Sequence, residues 1–303
     1  MPSRSRAYAA LAGAGCLWGT GFLLGKIALA ELSASHLILY RLLLACVGFV
    51  PVLLIQRPRI RREDWPTVWL AGLYGIPLVY LIQFEGLART TVAHASLMVA
   101  MMPILLGIAG AVVAHERLTI MHWVLLFVSA AGALLIATGA TAGTRASTGP
   151  TLLGDALVVG SLVAGVGWVL ASKRLMKHYD PSSVGAVVTL AGTFLLAAWV
   201  LVVNGRPPAR LTPQVWAALA ASGLLATTTS NLLWNWGVSR VPVSEAGIFV
   251  NLEPVVGTLL GVTLLGDRLG WSGVAGGVLI VGAAVAVTRR GGHEGHGVGE
   301  TEK

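Results

Sequence analysis

Charge is scarce along this chain: only 11% of its 303 residues are Asp, Glu, Lys or Arg, against roughly 25% in soluble domains. Apolar residues make up 55% and the mean hydropathy is +0.78, so a water-facing surface would expose large apolar patches. These values exclude a soluble enzyme, a nucleic-acid-binding module and a disordered chain, and they predict an integral membrane protein. The net charge of +8 then indicates loops facing an anionic cytoplasmic leaflet, not a nucleic-acid partner.

The chain is also poor in residues and motifs that carry catalysis or bind metals. Its two cysteines, Cys16 and Cys46, lie inside apolar runs, which argues against a disulfide framework. No HExxH, CxxC or GxSxG motif is present, and HEGH at 293–296 lies in a Gly-rich tail. We therefore expect no enzymatic activity, no metal and no cofactor.

Ten apolar runs of about 20 residues each predict ten membrane-spanning helices. With both termini on one side, 14 basic residues fall at that side and 6 at the other, so both termini are expected in the cytoplasm. Abundant Ala, Gly and Arg suit a multi-pass protein of a bacterial inner (plasma) membrane. Only 88–90 separate the third and fourth spans, so one long helix is the alternative there. The predicted spans are 7–29, 34–55, 66–86, 91–114, 119–140, 152–174, 181–204, 213–236, 242–265 and 270–288.

The second half of the chain repeats the first. Residues 86–118 align with 237–269 at an offset of 151 without a gap, and nine of 33 positions are identical, including Pro103/Pro254. Each repeat holds five spans, and because five is odd, the second repeat enters the membrane upside down. We therefore predict an all-α fold of two inverted five-helix repeats, 1–146 and 147–288, and a disordered cytoplasmic tail, 289–303. Such repeats are common in transporters, although duplication could also reflect only how the bundle was built.

Three motifs match a known family: LWGTGFLLGKIAL in the first span, TVAHASLMVAMMPILLGIAG followed by HERL, and EAGIFVNLEPVVGTLLGVTLLGDRL. Over nearly its whole length the sequence resembles the EamA-type transporters of the drug/metabolite transporter superfamily. The resemblance implies ten helices, cytoplasmic termini and a central cavity lined mainly by spans 1, 3, 4, 6, 8 and 9. Members mostly export amino acids and other small metabolites, and they differ widely in substrate. The halves differ at one matched position, where the first has Met102 and the second Glu253.

Glu253, near the middle of the ninth span, is the leading functional candidate. A charged group at the bilayer centre costs about 2.5–3.5 kcal/mol, so it is expected to face the bundle interior or a wet cavity. It would bind a substrate amine or carry a proton. The alternative is a protonated Glu253 that hydrogen-bonds between helices.

Polar and aromatic side chains within the spans are the other candidates for a substrate site. Asn231 and Asn235 lie one turn apart, and their amides would suit a zwitterionic ligand. Trp18 and Trp168 are mid-span in the first and sixth helices. For each of these residues the alternative is interhelical or core packing. The predicted substrate-binding set is Trp18, Tyr80, Gln83, Met101, Trp168, Asn231, Asn235, Asn251 and Glu253.

Two further groups concern movement. His94 and Glu245 occupy matched positions near the starts of spans four and nine. Together with Glu253 they are predicted to act in gating or proton coupling. For His94 and Glu245 the alternative is a solvated residue at a helix end. Pro77, Pro103 and Pro254 are predicted hinges. Arg41, in the second span, is expected to pair between helices or to reach towards the lipid interface.

The sequence thus predicts a secondary transporter that exports small amphipathic metabolites, amino acids first of all, by alternating access around a midplane cavity. Export of other metabolites or drugs (nucleotides, sugars or cationic compounds) and a non-transporting membrane scaffold are the alternatives. The expected partners are the small-molecule substrate, the lipid bilayer and protons, with uniport and proton antiport both open. The chain is expected to be a monomer or a weak homodimer.

Overall fold

A computed structural model describes residues 4–87, 89, 99, 101–139, 152–265 and 270–294. Regular structure in these ranges is helical, with no strand. A short 3₁₀ turn, Arg62–Asp64, leads into the third helix. The helices are α1 (Arg4–Ala28), α2 (Ala34–Gln56), α3 (Trp65–Leu73), α4 (Val79–Leu87), α5 (Met102–Val112), α6 (Ile120–Gly139), α7 (Leu152–Leu175), α8 (Pro181–Val203), α9 (Pro213–Gly223), α10 (Ser230–Val238), α11 (Val243–Val250), α12 (Leu252–Leu265) and α13 (Trp271–Glu294).

Seven helical stretches within the described ranges are long and apolar enough to cross a membrane, and α5 and Ile120–Ile136 are shorter apolar helices. The predicted all-helical membrane architecture is therefore confirmed. The count of ten spans stays a prediction, because residues 90–98 and 140–151 lie outside the described residues. Helix α13 ends at Glu294, beyond the boundary at 289 predicted for the tail.

Two predicted spans change helix type in the middle. The π segment Tyr74–Leu78 joins α3 to α4, and the π segment Leu224–Thr229 joins α9 to α10. Pro77 lies in the first segment, where its missing N–H removes a helical hydrogen bond. The second has no proline; instead the hydroxyls of Thr227, Thr228 and Thr229 each donate to the carbonyl oxygen five residues earlier, at 2.9–3.2 Å. A shift of 151 residues places Tyr74 at position 225, so the two segments occupy matching places in the two halves.

The other two predicted hinge prolines lie in different settings. Asn251 interrupts the ninth predicted span between α11 and α12, and Pro254 follows three residues later, without the N–H that would bond to the Val250 carbonyl. Pro103 lies in the first turn of α5, where a helix tolerates proline. The structure thus gives a helix break near Pro77 and near Pro254, and a helix start at Pro103.

Close backbone contacts between the halves fix the position of α1. Gly15 lies against the Phe249 carbonyl, and a Cβ on Gly19 would come within 2.7 Å of the Glu253 carbonyl oxygen. Helices α6 and α13 approach in the same way at Gly132 and Gly276. Small residues permit such contacts, which supply the van der Waals packing that holds helices together in lipid.

Polar contacts gather at the two ends of α1. At the near end, where α1 begins, Tyr8 contacts the start of α11 through Glu245. At the far end, beyond Ala28, the Glu31 carboxylate accepts hydrogen bonds from the Thr212 hydroxyl (2.6 Å) and backbone N–H (3.0 Å). These two bonds from Thr212 lower the pKa of Glu31 below its ordinary value. Both ends are therefore held by contacts between the first and second halves.

Candidate functional site

The carboxylate of Glu253 lies inside the bundle without a protein partner among the described residues. Glu253 stands in the first turn of α12 and is half-buried. Its side of α12 packs on α1, since Gly19 contacts Val256 and Gly257 as well as the Glu253 backbone. No side chain in the described part of the chain donates a hydrogen bond to this carboxylate, and the basic side chain that faces α1 from the opposite side is that of Arg41.

Arg41 is half-buried on α2 and is held by the second π segment. Its Nε donates to Thr227 Oγ1 at 2.7 Å, and its Nη2 donates to the Ala226 carbonyl oxygen at 3.2 Å. The third nitrogen, Nη1, faces α1 and would be 3.7 Å from a Cβ on Gly21. Arg41 therefore pairs between helices, as one of the two sequence expectations had it, and its guanidinium does not form a contact ion pair with Glu253.

The face of α1 between these two charges carries Trp18. At about 100° per residue, Gly19 and Gly21 point about 160° apart, and Trp18 and Gly25 lie in the arc between them. Trp18 is half-buried and packs on Trp234, with ring centroids 5.1 Å apart. At Gly25 a Cβ would meet no described atom within 4 Å. Trp18 therefore presents an aromatic surface on the arc of α1 between these two contacts, and the open position at Gly25 lies further along the same arc.

The remaining predicted binding residues divide by burial. Asn251 is 3% exposed and donates to Ser129 Oγ at 3.1 Å, while Asn235 is 2% exposed and lies against Gly185 of α8. These contacts favour the interhelical-packing alternative for both amides. Four other predicted binding residues are half-buried: Tyr80, Gln83, Trp168 and Asn231. The fifth, Met101, is exposed.

A second polar cluster lies around Glu116 at the near end of the bundle. Glu116 Oε1 accepts a hydrogen bond from the Val243 N–H at 2.7 Å, and Oε2 accepts from Ser244 N–H at 3.2 Å and Ser244 Oγ at 2.8 Å. Lys173, at the end of α7, places its Nζ 3.5 Å from Glu116 Oε1 and 2.9 Å from the Val241 carbonyl oxygen. A carboxylate from the first half thus caps a helix of the second half, where the helix dipole favours negative charge.

Glu245 extends this cluster along α11 and is buried, so the solvated helix end considered for it does not occur. Tyr8 Oη donates to Glu245 Oε2 at 2.5 Å, and His122 Nε2 lies 3.6 Å from Oε1. His94, the matched residue of the first half, lies outside the described residues.

The sequence reasoning missed several members of these clusters. Thr227, Tyr8 and His122 gave no signal of their own. Glu116 stands in the HERL motif that repeats as GDRL, and that recurrence was the available clue. Among the described residues no group of three or more His, Cys, Asp or Glu side chains could hold a metal ion.

These features define a multi-pass membrane protein made of two related helical halves. The EamA-like transporter family model matches the chain twice, at residues 5–138 and 152–289, and the chain belongs to that family. The two matches also agree with the repeat found in the sequence.

Relatives and a solved structure agree with this assignment. An uncharacterized transporter of Archaeoglobus fulgidus is 25% identical over 277 residues, which are 90% of this chain and 94% of that protein. A probable terminal-alkyne amino-acid exporter of Streptantibioticus cattleyicolor is 27% identical over 277 residues, 90% of each chain. A biotin transporter of Salmonella typhimurium is 26% identical over 282 residues, again 90% of each. One crystal structure shares the fold with a TM-score of 0.81, at 24% identity, over 95% of this chain and 99% of that one.

Proposed function

We propose that this transporter exports free amino acids by alternating access around the interior space beside Glu253 and Trp18. The observation that carries the proposal is the Glu253 carboxylate within the membrane-spanning bundle, which has no hydrogen-bond or ion-pair partner among the residues that the structure describes. An ionised acid in that position is costly, and acids within membrane spans commonly mark the path of a substrate, an ion or a proton. The S. cattleyicolor relative, named as an amino-acid exporter, supports the same substrate class.

The proposed transport cycle uses ten spans in two inverted halves, with both termini in the cytoplasm. The near end then faces the cytoplasm. The Glu116 cluster closes the interior space to the cytoplasm, while that space is open to the outside. Exchange of the two halves' conformations would break this closure and open the space inward. The breaks near Pro77 and Pro254 are the proposed bending points, because a helix without its regular hydrogen bonds bends there at least cost.

Glu253 provides a simple basis for coupling transport to protons. A single carboxylate binds either the substrate ammonium or a proton, but not both, so the two ligands compete for it. If the return step requires the protonated carboxylate, one proton enters for each amino acid that leaves. The transporter is then a proton antiporter rather than a uniporter.

Export is tested in cells that express the chain and are preloaded with labelled amino acids. We expect faster efflux than in cells expressing a Glu253→Ala variant at equal membrane abundance. Efflux equal to that of the variant for every amino acid would contradict the proposal. Preloaded biotin is the comparison substrate, because the Salmonella relative is named for it.

A further inference from the structure

The two opposite charges in the bundle interior are held apart. Arg41 lies with its Nη1 facing Gly21 of α1, and Glu253 stands on the side of α12 that packs on Gly19 of the same helix, yet no ion pair within 4 Å joins the two. Direct contact would be the favoured arrangement in a medium of low dielectric constant, where the attraction between opposite charges is strong. Their separation therefore needs a structural cause.

The cause lies in the second π segment. Thr227 Oγ1 and the Ala226 carbonyl oxygen, both in this segment, accept hydrogen bonds from two of the three guanidinium nitrogens of Arg41. Glu253 is held by its own helix, whose backbone packs on Gly19. Only Nη1 of Arg41 is directed towards α1, and it makes no hydrogen bond within the described part of the chain.

Resting on the proposed function, we infer that Arg41 is a specificity-determining residue that binds the substrate carboxylate through Nη1 while Glu253 binds the substrate ammonium. A free α-amino acid carries both charges on one carbon and so can bridge two protein charges that are fixed apart. The Trp18 face of α1 lies between them and would pack against the substrate side chain. The site would then require both charged groups and would reject amines, esters and N-acylated amino acids.

The fixed geometry of the guanidinium explains why arginine is required at this position. Its planar fork can hold Thr227 and Ala226 on one edge while a second edge remains for a carboxylate, which a lysine ammonium cannot do in the same geometry. A charge-assisted hydrogen bond of this kind contributes enough to change affinity by about ten-fold or more. Arg41→Lys should therefore keep the charge but weaken carboxylate recognition.

The test is counterflow of a labelled amino acid into proteoliposomes, with competition by four unlabelled probes. The probes are the free amino acid, its methyl ester, its N-acetyl derivative and its decarboxylated amine. In the wild-type protein we expect the free amino acid to compete at least about ten-fold better than each of the others. Binding of the same probes to the detergent-solubilised protein, followed by thermal shift, gives a second reading that does not depend on transport.

Two reciprocal variants separate recognition from general damage. Arg41→Gln should lose the preference for the free acid over the methyl ester but keep the preference over the N-acetyl form. Glu253→Gln should show the opposite pattern. A misfolded or loosened bundle would weaken all probes together and would not reverse the pattern between the two variants.

The outcomes distinguish the role of Arg41 in carboxylate recognition from the proposed export of amino acids. If wild-type protein exchanges amino acids and Arg41→Gln still discriminates against the ester, the role of Arg41 is refuted and the proposed function stands. If the wild-type protein neither binds nor exchanges any amino acid, both are refuted.

Discussion

Removal of the Glu116 side chain should weaken the closure of the near end. In Glu116→Ala, the cap on α11 is lost, together with the bond from Ser244 Oγ and the contact with Lys173. A lost cap typically costs about 1 kcal/mol, and the hydroxyl bond and the half-buried ion pair add about 1 kcal/mol each. Together these amount to about 3 kcal/mol, which corresponds to a roughly 100-fold larger open population.

Hydrogen exchange of the backbone amides at the start of α11 measures this opening directly, since two of those amides donate to Glu116. We expect exchange in residues 240–250 to accelerate by up to about 100-fold, while exchange in α2 stays unchanged. Glu63→Ala is the matched control, because Glu63 pairs with Arg61 at an exposed position and such a pair contributes about 0–1 kcal/mol. Equal exchange at the start of α11 in wild type and Glu116→Ala would refute the closure.

Glu253→Gln should abolish flux driven by a pH gradient while counterflow at saturating substrate persists; an unchanged response to the gradient would show that the proton is carried elsewhere. Because bonds from Thr212 lower the pKa of Glu31, its carboxylate stabilises the fold above its ordinary pKa of 4.5, and that contribution is lost as the pH falls through the lowered value. The melting temperature of Glu31→Gln should therefore fall below that of wild type at neutral pH and meet it in acid; a difference that persists in acid would contradict the assignment. Gly19→Ala should cost about 1–3 kcal/mol by overpacking against α12, whereas Gly277→Ala, where no described atom lies within 4 Å of the added Cβ, should be neutral; equal melting temperatures would contradict the close packing.

The sequence predicts the helical architecture well because spans in lipid need long apolar runs and every backbone group must be bonded within the helix. Predicted spans such as 34–55 and 181–204 agree within one residue at each end with α2 and α8. The repeat was visible because Arg, Pro and acidic residues aligned where apolar composition alone would not align them.

The site was harder to predict, because it depends on which helices meet. Glu253 stands out in sequence as a lone intramembrane acid, but its relation to Arg41 depends on the π segment at Leu224–Thr229. That segment contains no proline, and three consecutive threonines were its only local sign. Asn235 and Asn251 illustrate the reverse case, since polar residues at suitable spacing turned out to be buried in helix contacts.

Counterflow by the purified protein shows directly whether this chain transports amino acids. Liposomes are loaded with a mixture of unlabelled amino acids, and the uptake of several labelled ones is followed at symmetrical pH. We expect some labelled amino acids to accumulate transiently above equilibrium. This accumulation should depend on the internal load and should be reduced at limiting substrate in Glu253→Gln. If no labelled amino acid enters beyond empty-liposome controls, while the protein is folded and inserted, amino-acid export by this chain is contradicted.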